Sequence, residues 1–354
     1  MKAFQAAIAA ELIAGYKFDQ PFHLYFTNIA RQHKNWGSKD RKTYRNACYA
    51  FFRTGFFSKG LNLESEIQSA LELVSMDAKS IEPIEIFPYP ELISNKINFN
   101  DWAISHLTQK PAYLVTKPDT KDLVLTHLSN NAIDYELIDG LNLVKVKADS
   151  KCDVIVDSGW AWIMDRASAE ATDALLVDTS SSIWDACSGA GGKALFLRSK
   201  FGSNLDLTCS DKRFSVLDNL EKRFRTLGFK LPMVELADLT EDFHISKKYD
   251  SILLDVPCTG SGTWGRSPEF IRTFDLETPQ KYAKLQKDIV RHALKNLKPG
   301  GKVHYMTCSV FKAENEENVE HFCLNHGLKL IQMSYHHNGH LLTDTLFRAE
   351  FIKV

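Results

Sequence analysis

Apolar residues in the first part of the chain recur at helical spacing. The pattern predicts helices over about residues 3 to 75. One of these helices is expected to begin at Ser38 as its cap, with Asp40 in the first turn, where the helix dipole favours a carboxylate. Pro83, Pro88 and Pro90 then mark a linker.

The pattern changes between about residues 97 and 165. Short β-type runs at Ala112–Thr116 and Leu141–Val146 flank a helical pattern at Lys121–Asn130. This mixture predicts a small α+β module.

A third pattern begins after Ser180, where short apolar runs alternate regularly with helical segments. Strands are predicted at 183–184, 205–209, 234–236, 251–256 and 302–306, and helices at 214–227 and 280–298. Such alternation is typical of an α/β fold with a parallel, doubly wound, Rossmann-like sheet. Ligands of these sheets bind beyond the carboxyl ends of the strands. The predicted domains are therefore a helical region 1–85, an α+β module 97–165 and a Rossmann-like domain 166–354.

Composition fits a globular protein outside membranes. Hydrophobic residues make up 44% and charged residues 25% of the 354 positions. No run of about 18 apolar residues occurs, and Glu11 interrupts the alanine-rich start before it can form a signal-peptide core. We therefore expect a cytoplasmic protein.

Seven cysteines occur without a C-x-x-C pair, which argues against a disulfide framework and against a zinc ribbon. No metal is expected, and a functional cysteine would be a free thiol. The net charge is only -1, but the segment 31–59 holds eight Lys or Arg against one acid, Asp40. A basic segment of this kind is a candidate RNA-binding surface.

A candidate cofactor site begins at Asp185, directly after a predicted strand. The run Cys187, Ser188, Gly189, Ala190, Gly191, Gly192 and Lys193 then opens a helix, where glycines let a ligand approach the backbone. Asp211 ends the next strand and can accept ribose hydroxyls, and Asp238 is expected to end the third strand on the adenine side. NAD and S-adenosylmethionine both carry this ribose, but the spacing is not G-x-G-x-x-G, which disfavours a dinucleotide.

Two thiols, Cys258 and Cys308, follow the predicted strands that end at Val256 and Met306. Carbon 5 of cytosine is a poor nucleophile until a thiolate adds to carbon 6. Cysteine suits that step because its thiolate is strongly nucleophilic and can be eliminated afterwards. Asp255 would hydrogen-bond the pyrimidine ring, and the second thiol would help to remove the carbon-5 proton.

Several segments in a fixed order resemble the Fmu/Sun/nucleolar-protein (RsmB-like) family of RNA cytosine-5 methyltransferases. They are Asp185 to Lys193, Asp255 to Gly262, Thr307 to Ser309, Glu314 to Glu316 and Leu346 to Phe351. The resemblance implies an S-adenosylmethionine-dependent enzyme in which Cys308 is the nucleophile and Cys258 assists turnover. It also implies cofactor contacts from Cys187 to Lys193, Asp211, Asp238 and Asp255. The family loop usually reads D-x-C-A-A-P-G-G-K, whereas Ser188, Gly189 and Ala190 replace A-A-P here.

The resemblance extends to RNA. The N-terminal helices resemble a NusB-like RNA-binding region with Lys39, Arg41, Lys42 and Arg45 as contacts, and the α+β module corresponds to an RRM-like fold. The expected partner is RNA, most of all 16S (small-subunit) ribosomal RNA, with its target base single-stranded or flipped out. Arg266 would clamp that nucleotide, and Trp264 would either stack on it or pack beneath the sheet.

Three alternatives stay open from the residues. The chain could methylate an exocyclic amine, although such enzymes carry an aromatic residue where Cys258 stands. It could be an RNA-binding assembly factor without activity. The roles of Cys258 and Cys308 could also be exchanged, since DNA cytosine-5 methyltransferases use the cysteine of their proline-cysteine turn as the nucleophile.

Overall fold

The structure is a computed structural model that describes residues 3–57, 60–75, 81–177, 180–241, 243, 245–336 and 342–354. The chain forms two compact units. The first comprises Met1–Gln109 with Thr263–Leu276, and the second comprises Lys110–Gly262 with Glu277–Val354. The predicted division into three domains stays a prediction. The α+β module and the large sheet belong to the same unit.

The first unit is helical. Its α-helices are α1 (Ala3–Gly15), α2 (Phe22–Gln32), α3 (Ser38–Arg53), α4 (Leu63–Ser75), α5 (Pro83–Ile86), α6 (Phe99–Ser105) and, far along the chain, α12 (Glu269–Arg272). Buried polar contacts fix the late segment in place: Arg53 donates to the Gly265 carbonyl at 3.0 Å, and the Phe22 amide donates to Glu269 at 3.1 Å. Residues 263–276 are therefore part of this unit's core, although the sequence alone assigned them to the Rossmann-like domain.

Helix α3 begins where the basic segment was predicted to become helical, but its cap is different. Gly37 is the N-cap, and Ser38 is the first helical residue. The Gly37 amide donates to the Asp40 carboxylate at 3.2 Å. The prediction of Ser38 as the cap was wrong, because Asp40 binds the free amide from within the first turn.

The second unit begins with the α+β module. Its elements are β1 (Ala112–Thr116), α7 (Lys121–Asn130), β2 (Tyr135–Ile138), β3 (Leu143–Val146), α8 (Asp153–Asp157) and β4 (Ala161–Ile163). The strands form an antiparallel sheet in the order β2-β3-β1-β4. Strand β1 and helix α7 have the predicted bounds, whereas β2 was not predicted.

The large sheet follows. Its elements are α9 (Arg166–Asp173), β5 (Ser182–Asp185), α10 (Gly192–Phe201), β6 (Asp206–Asp211), α11 (Phe214–Thr226), β7 (Met233–Leu236), β8 (Tyr249–Asp255), α13 (Thr278–Ala293), β9 (Leu297–Thr307), α14 (Glu316–Asn325), β10 (Leu328–His336) and β11 (Leu346–Lys353). The strand order is β10-β11-β9-β8-β5-β6-β7. Strands β5 to β9 pair in parallel, and β11 and β10 extend the sheet antiparallel. The predicted Rossmann-like fold is confirmed.

Alternate residues of the central strands enter two different cores. Ile183 and Leu253 pack with α9, α10 and α11, whereas Trp184 and Ile252 pack with α13 and α14. Helices therefore cover both faces of the sheet, and only the ends of the strands remain open to ligands. None of the helices in the described ranges combines the length and apolar composition needed to cross a membrane.

Candidate functional site

The order of the strands reverses between β5 and β8, and a cavity lies at their carboxyl ends. This is the position at which doubly wound sheets bind ligands. The cavity measures about 650 Å³. Its wall includes most of the predicted site: Cys187, Ser188, Gly189, Ala190, Gly192, Lys193, Asp211, Asp238, Asp255, Cys258 and Cys308.

Gly191 does not line the cavity but shapes the loop that does. It is the N-cap of α10, with φ 79°. A Cβ there would meet the side chain of Leu220 at 2.7 Å, so no larger residue fits. Gly192 and Lys193, the first residues of α10, line the cavity, so the amino end of this helix lies at the site.

The loop lacks the family proline, and hydrogen bonds hold it instead. The Ser188 amide and hydroxyl both donate to the Ser210 carbonyl, at 2.8 and 3.1 Å. The Gly191 amide donates to the Ser188 carbonyl at 2.9 Å, which closes a turn. Ser188 thus fastens the loop to the end of β6.

Asp211 lies at the end of β6 and is already hydrogen-bonded. Its carboxylate accepts from the Gly189 amide at 3.1 Å and from Arg213, whose side chain approaches within 3.0 Å. Burial opposes ionisation, but these donors outweigh it and lower the pKa of Asp211. A ribose diol at this carboxylate would replace Arg213, a residue that the sequence reasoning did not identify.

Asp238 lies two residues beyond β7, so the prediction that it ends the strand is off by that distance. Its carboxylate accepts from the amide and hydroxyl of Thr240, at 2.9 and 2.7 Å. These bonds lower the pKa of Asp238 and hold its charge at the cavity wall beyond Asp211.

Two carboxylates and one ammonium group meet at the switch point. Lys193 donates to Asp255 at 2.6 Å. Burial alone would lower the pKa of Lys193, but the attraction of Asp255 raises it. Asp185 is 1% exposed, and neither carboxylate oxygen has a hydrogen-bond partner among the described residues. Burial, then the charge of Asp255, raises the pKa of Asp185 to about 8.

The sequence places Asp185 at the start of the glycine loop but does not indicate a role for it. A buried carboxylate without a partner costs free energy unless a ligand donor completes it. The cavity therefore fits an adenosyl amino acid: Asp185 would pair with the ammonium group, Asp211 with the ribose hydroxyls, and the glycine loop with the intervening chain.

The two thiols lie side by side at the rim of the cavity. Cys258 Sγ and Cys308 Sγ are 3.3 Å apart. The hydrogen bond with Cys308, followed by burial, raises the pKa of Cys258 well above its usual range. At this distance either thiol can donate to the other. The prediction that these strand ends bring both cysteines into one cleft agrees with the geometry.

Two further groups near the thiols were missed. Tyr282 of α13 lines the cavity, and burial raises the pKa of its hydroxyl. The carboxylate of Glu314, which is completely buried, accepts bonds from the residues that follow both cysteines. Sequence periodicity does not predict that either residue lies near a cysteine-bearing turn. Glu314 does belong to one of the segments on which the family resemblance rests.

The predicted RNA contacts lie in the first unit. Lys39, Lys42 and Arg45 are exposed on α3, whereas the Arg41 side chain donates to the Trp36 carbonyl at 3.0 Å. Arg266 is half-buried. These RNA roles stay predictions.

Trp264 resolves one alternative. It is 3% exposed and lies among Phe87, Trp102 and Phe274, with ring centroids 5.8 to 6.2 Å away. The suggestion that Trp264 stacks on a flipped base was wrong; it packs in the core of the first unit.

Comparisons with known proteins agree with this geometry. Residues 173–345 match the family model described as 16S rRNA methyltransferase RsmB/F. Ribosomal RNA small subunit methyltransferase B of Shewanella oneidensis is 29% identical over 46% of this chain and 38% of its own length. The same-named protein of Vibrio vulnificus is 29% identical over 57% and 48%. Human tRNA (cytosine(72)-C(5))-methyltransferase NSUN6 is 28% identical over 45% and 36%. The chain spans less than half the length of these curated relatives.

Solved structures share the fold at low identity. The crystal structure of PH0851 superposes with a TM-score of 0.76 at 17% identity and covers 99% of both chains. NSun6 from Pyrococcus horikoshii, solved with SFG, gives 0.65 at 17%, covering 77% of this chain and 96% of that one. The matching family consists of S-adenosylmethionine-dependent methyltransferases, which agrees with the predicted cofactor. Residues 173–345 of this chain therefore resemble the RsmB/F group of the Fmu/Sun family of methyltransferases.

Proposed function

We propose that the protein is an S-adenosylmethionine-dependent RNA cytosine-5 methyltransferase that acts through a covalent cysteine adduct. The 3.3 Å separation of Cys258 Sγ and Cys308 Sγ carries this proposal, because methylation of carbon 5 needs a thiol to attack and a group to resolve the adduct. An exocyclic amine is itself a nucleophile and needs neither thiol.

The thiolate of Cys308 adds to carbon 6 of the cytosine, which makes carbon 5 enamine-like. The Lys193–Asp255 pair, 2.6 Å apart, lies beside the ring and favours its electron-poor form. S-adenosylmethionine supplies the methyl group that carbon 5 takes up. Cys258 takes the carbon-5 proton as a thiolate, the electron pair of that C–H bond restores the 5,6 double bond, and the bond from carbon 6 to sulfur breaks to release Cys308 as a thiolate.

The substrate proposed is RNA, and most of all small-subunit ribosomal RNA. The matching family description and two of the named relatives support ribosomal RNA, while the human relative is named for transfer RNA. The exposed cations Lys39, Lys42 and Arg45 supply a surface for phosphates. A cytoplasmic location stays part of the prediction.

The test is methyl transfer from labelled S-adenosylmethionine to ribosomal RNA, followed by mass analysis of the nucleosides. The expected product is 5-methylcytidine, absent with Cys308→Ala. Formation of N4-methylcytidine would favour the exocyclic-amine alternative. Absence of any methylated nucleoside with both ribosomal and transfer RNA would favour an assembly factor.

The position of the product identifies the substrate in a second step. Bisulfite sequencing of total RNA from a deletion strain and its parent is expected to show one or a few cytosines that lose protection in the deletion strain. A change confined to transfer RNA would contradict the ribosomal assignment and leave the chemistry intact.

A further inference from the structure

A single buried carboxylate connects the two turns that carry the thiols. Glu314 is 0% exposed. One oxygen accepts from the Thr259 hydroxyl at 2.6 Å and from the Ser309 hydroxyl at 2.5 Å. The other accepts from the Thr259 amide at 3.0 Å and from the Gln286 side chain at 2.9 Å. Both oxygens are therefore fully used as acceptors.

The donors have a particular place in the sequence. Thr259 directly follows Cys258, and Ser309 directly follows Cys308. Gln286 also donates to the carbonyl of Pro257, the residue before Cys258, at 2.9 Å. The carboxylate thus links the backbone on both sides of one cysteine to the residue after the other.

Further buried groups fix Glu314 itself. The Tyr305 hydroxyl lies 2.6 Å from the Glu314 carbonyl, and the Asn318 side chain donates to Gln286 at 2.8 Å. Burial raises the pKa of Glu314, and the donors from Ser309 and Thr259 oppose that rise. A connected network of this kind is rigid because a missing bond would leave a buried polar group without a partner.

We propose that Glu314 is a positioning residue that sets the distance between Cys258 and Cys308 and thereby couples attack on the base to resolution of the adduct. This inference rests on the proposed function. Without the link through Glu314, each cysteine would stay in its own turn, but the distance between the two sulfurs would no longer be fixed.

The variant Glu314→Gln tests the inference. It preserves the size of the side chain but turns an amide group toward donors that need an acceptor. Attack by Cys308 is expected to persist while elimination slows. The ratio of covalent protein-RNA adduct to released product, measured on denaturing gels with S-adenosylmethionine and substrate RNA, should rise on the order of tenfold to a hundredfold.

The matched control is Glu350→Gln, which removes the charge of another fully buried glutamate in the same unit, on β11. It should leave the adduct-to-product ratio unchanged even if it lowers stability. Thr259→Val, which deletes only one of the four bonds, should give a smaller rise and serves if Glu314→Gln fails to fold.

A second readout does not require activity. Diamide takes one hydrogen from each of two thiols, joins the sulfurs as a disulfide and is itself reduced to the hydrazine. Formation of the Cys258–Cys308 disulfide, followed by peptide mass mapping, should be fast in the wild type and at least several-fold slower in Glu314→Gln and Thr259→Val.

The outcomes separate the two levels of the proposal. If adduct and product fall together in Glu314→Gln and Thr259→Val, and disulfide formation is unchanged, Glu314 has no positioning role. If the wild type makes no 5-methylcytidine and Cys258→Ala traps no adduct, the proposed function itself fails. A trapped adduct with Cys258→Ala but not with Glu314→Gln or Thr259→Val contradicts only the inference about Glu314.

Discussion

The two sheets of the second unit differ in which of their surfaces stays open. In the antiparallel sheet, Tyr113, Val115, Leu143 and Trp162 face the same core as Leu195 and Phe224 of the Rossmann-like layer, and each is at most 2% exposed. The opposite face packs on α7 and α8. In the seven-stranded sheet both faces are covered too, but the carboxyl ends of the strands surround a cavity.

The difference shows that the α+β module can resemble an RRM domain in fold without binding RNA in the same way. RRM domains bind RNA by stacking bases on an open sheet face. The face of the RRM-like sheet that carries Tyr113 and Trp162 cannot stack bases in this way, because it is buried in the core. The module is part of the core of the second unit, and the proposed RNA binding is therefore expected at other surfaces.

The largest expected effect comes from Trp162→Ala. Removing a buried tryptophan costs about 3–5 kcal/mol of unfolding free energy. Ile163, the next residue and 58% exposed, is the control, and Ile163→Ala should change stability by no more than about 0.5 kcal/mol. Urea unfolding measures both. Wild-type stability together with weakened RNA binding in Trp162→Ala would instead make this face an RNA surface.

Asp211→Ala probes the open end of the large sheet. Loss of a charged acceptor costs about 1.5–3 kcal/mol, so S-adenosylmethionine should bind roughly tenfold to a hundredfold more weakly. Asp206 lies at the opposite end of the same strand and pairs with Lys247, which makes Asp206→Ala the control. Calorimetry that finds equal affinities for the two variants would remove Asp211 from the cofactor site.

Because both faces of the antiparallel sheet pack against other elements, we expect RNA to bind the basic helix α3 of the first unit. Replacing Lys39, Lys42 and Arg45 by alanine should weaken RNA binding and flatten its salt dependence by roughly 0.7 to 0.9 for each phosphate-binding cation removed. Arg41 is left in place because it also caps the Trp36 carbonyl. A triple variant at Lys151, Lys230 and Lys329, which are exposed elsewhere, removes the same charge. Identical salt slopes in both triple variants would leave α3 without a role in RNA binding.

The smallest expected effect is the release of a proton when the cofactor binds. With its pKa raised to about 8, Asp185 holds a proton at neutral pH in the free protein. Pairing with the cofactor ammonium group needs the ionised form, so binding at pH 6.5 should release close to one proton. Affinity should then rise by about tenfold per pH unit from 6 toward 7.5. Asp185→Asn should abolish both effects in calorimetry, and proton release that persists in this variant would point to another group.

Local patterns predicted much of this architecture. The bounds of β1 and α7 follow from their own side chains, and the parallel sheet follows from regular alternation. Several site residues could be predicted from the sequence for the same reason. Asp185, Asp211 and Asp255 each end a strand. Parallel strands then bring these ends together without further information.

What the sequence did not reveal depends on contacts between distant residues. Strand β1 is apolar on both faces, and this pattern does not show whether RNA or another layer of the protein covers a given face. The position of Trp264 depends on residues more than 150 places earlier, Phe87 and Trp102. The links from Glu314 to Thr259 and Gln286 likewise join segments that no periodicity connects.

The most direct test of the central claim uses the two cysteine variants with S-adenosylmethionine and labelled RNA on a denaturing gel. Cys308→Ala should be inactive and form no adduct, because no thiolate attacks carbon 6. Cys258→Ala should accumulate a slowly migrating protein-RNA adduct, because attack and methyl transfer proceed while elimination stalls. An adduct with Cys308→Ala but not with Cys258→Ala would reverse the two roles, and full methyl transfer by both variants would contradict covalent catalysis.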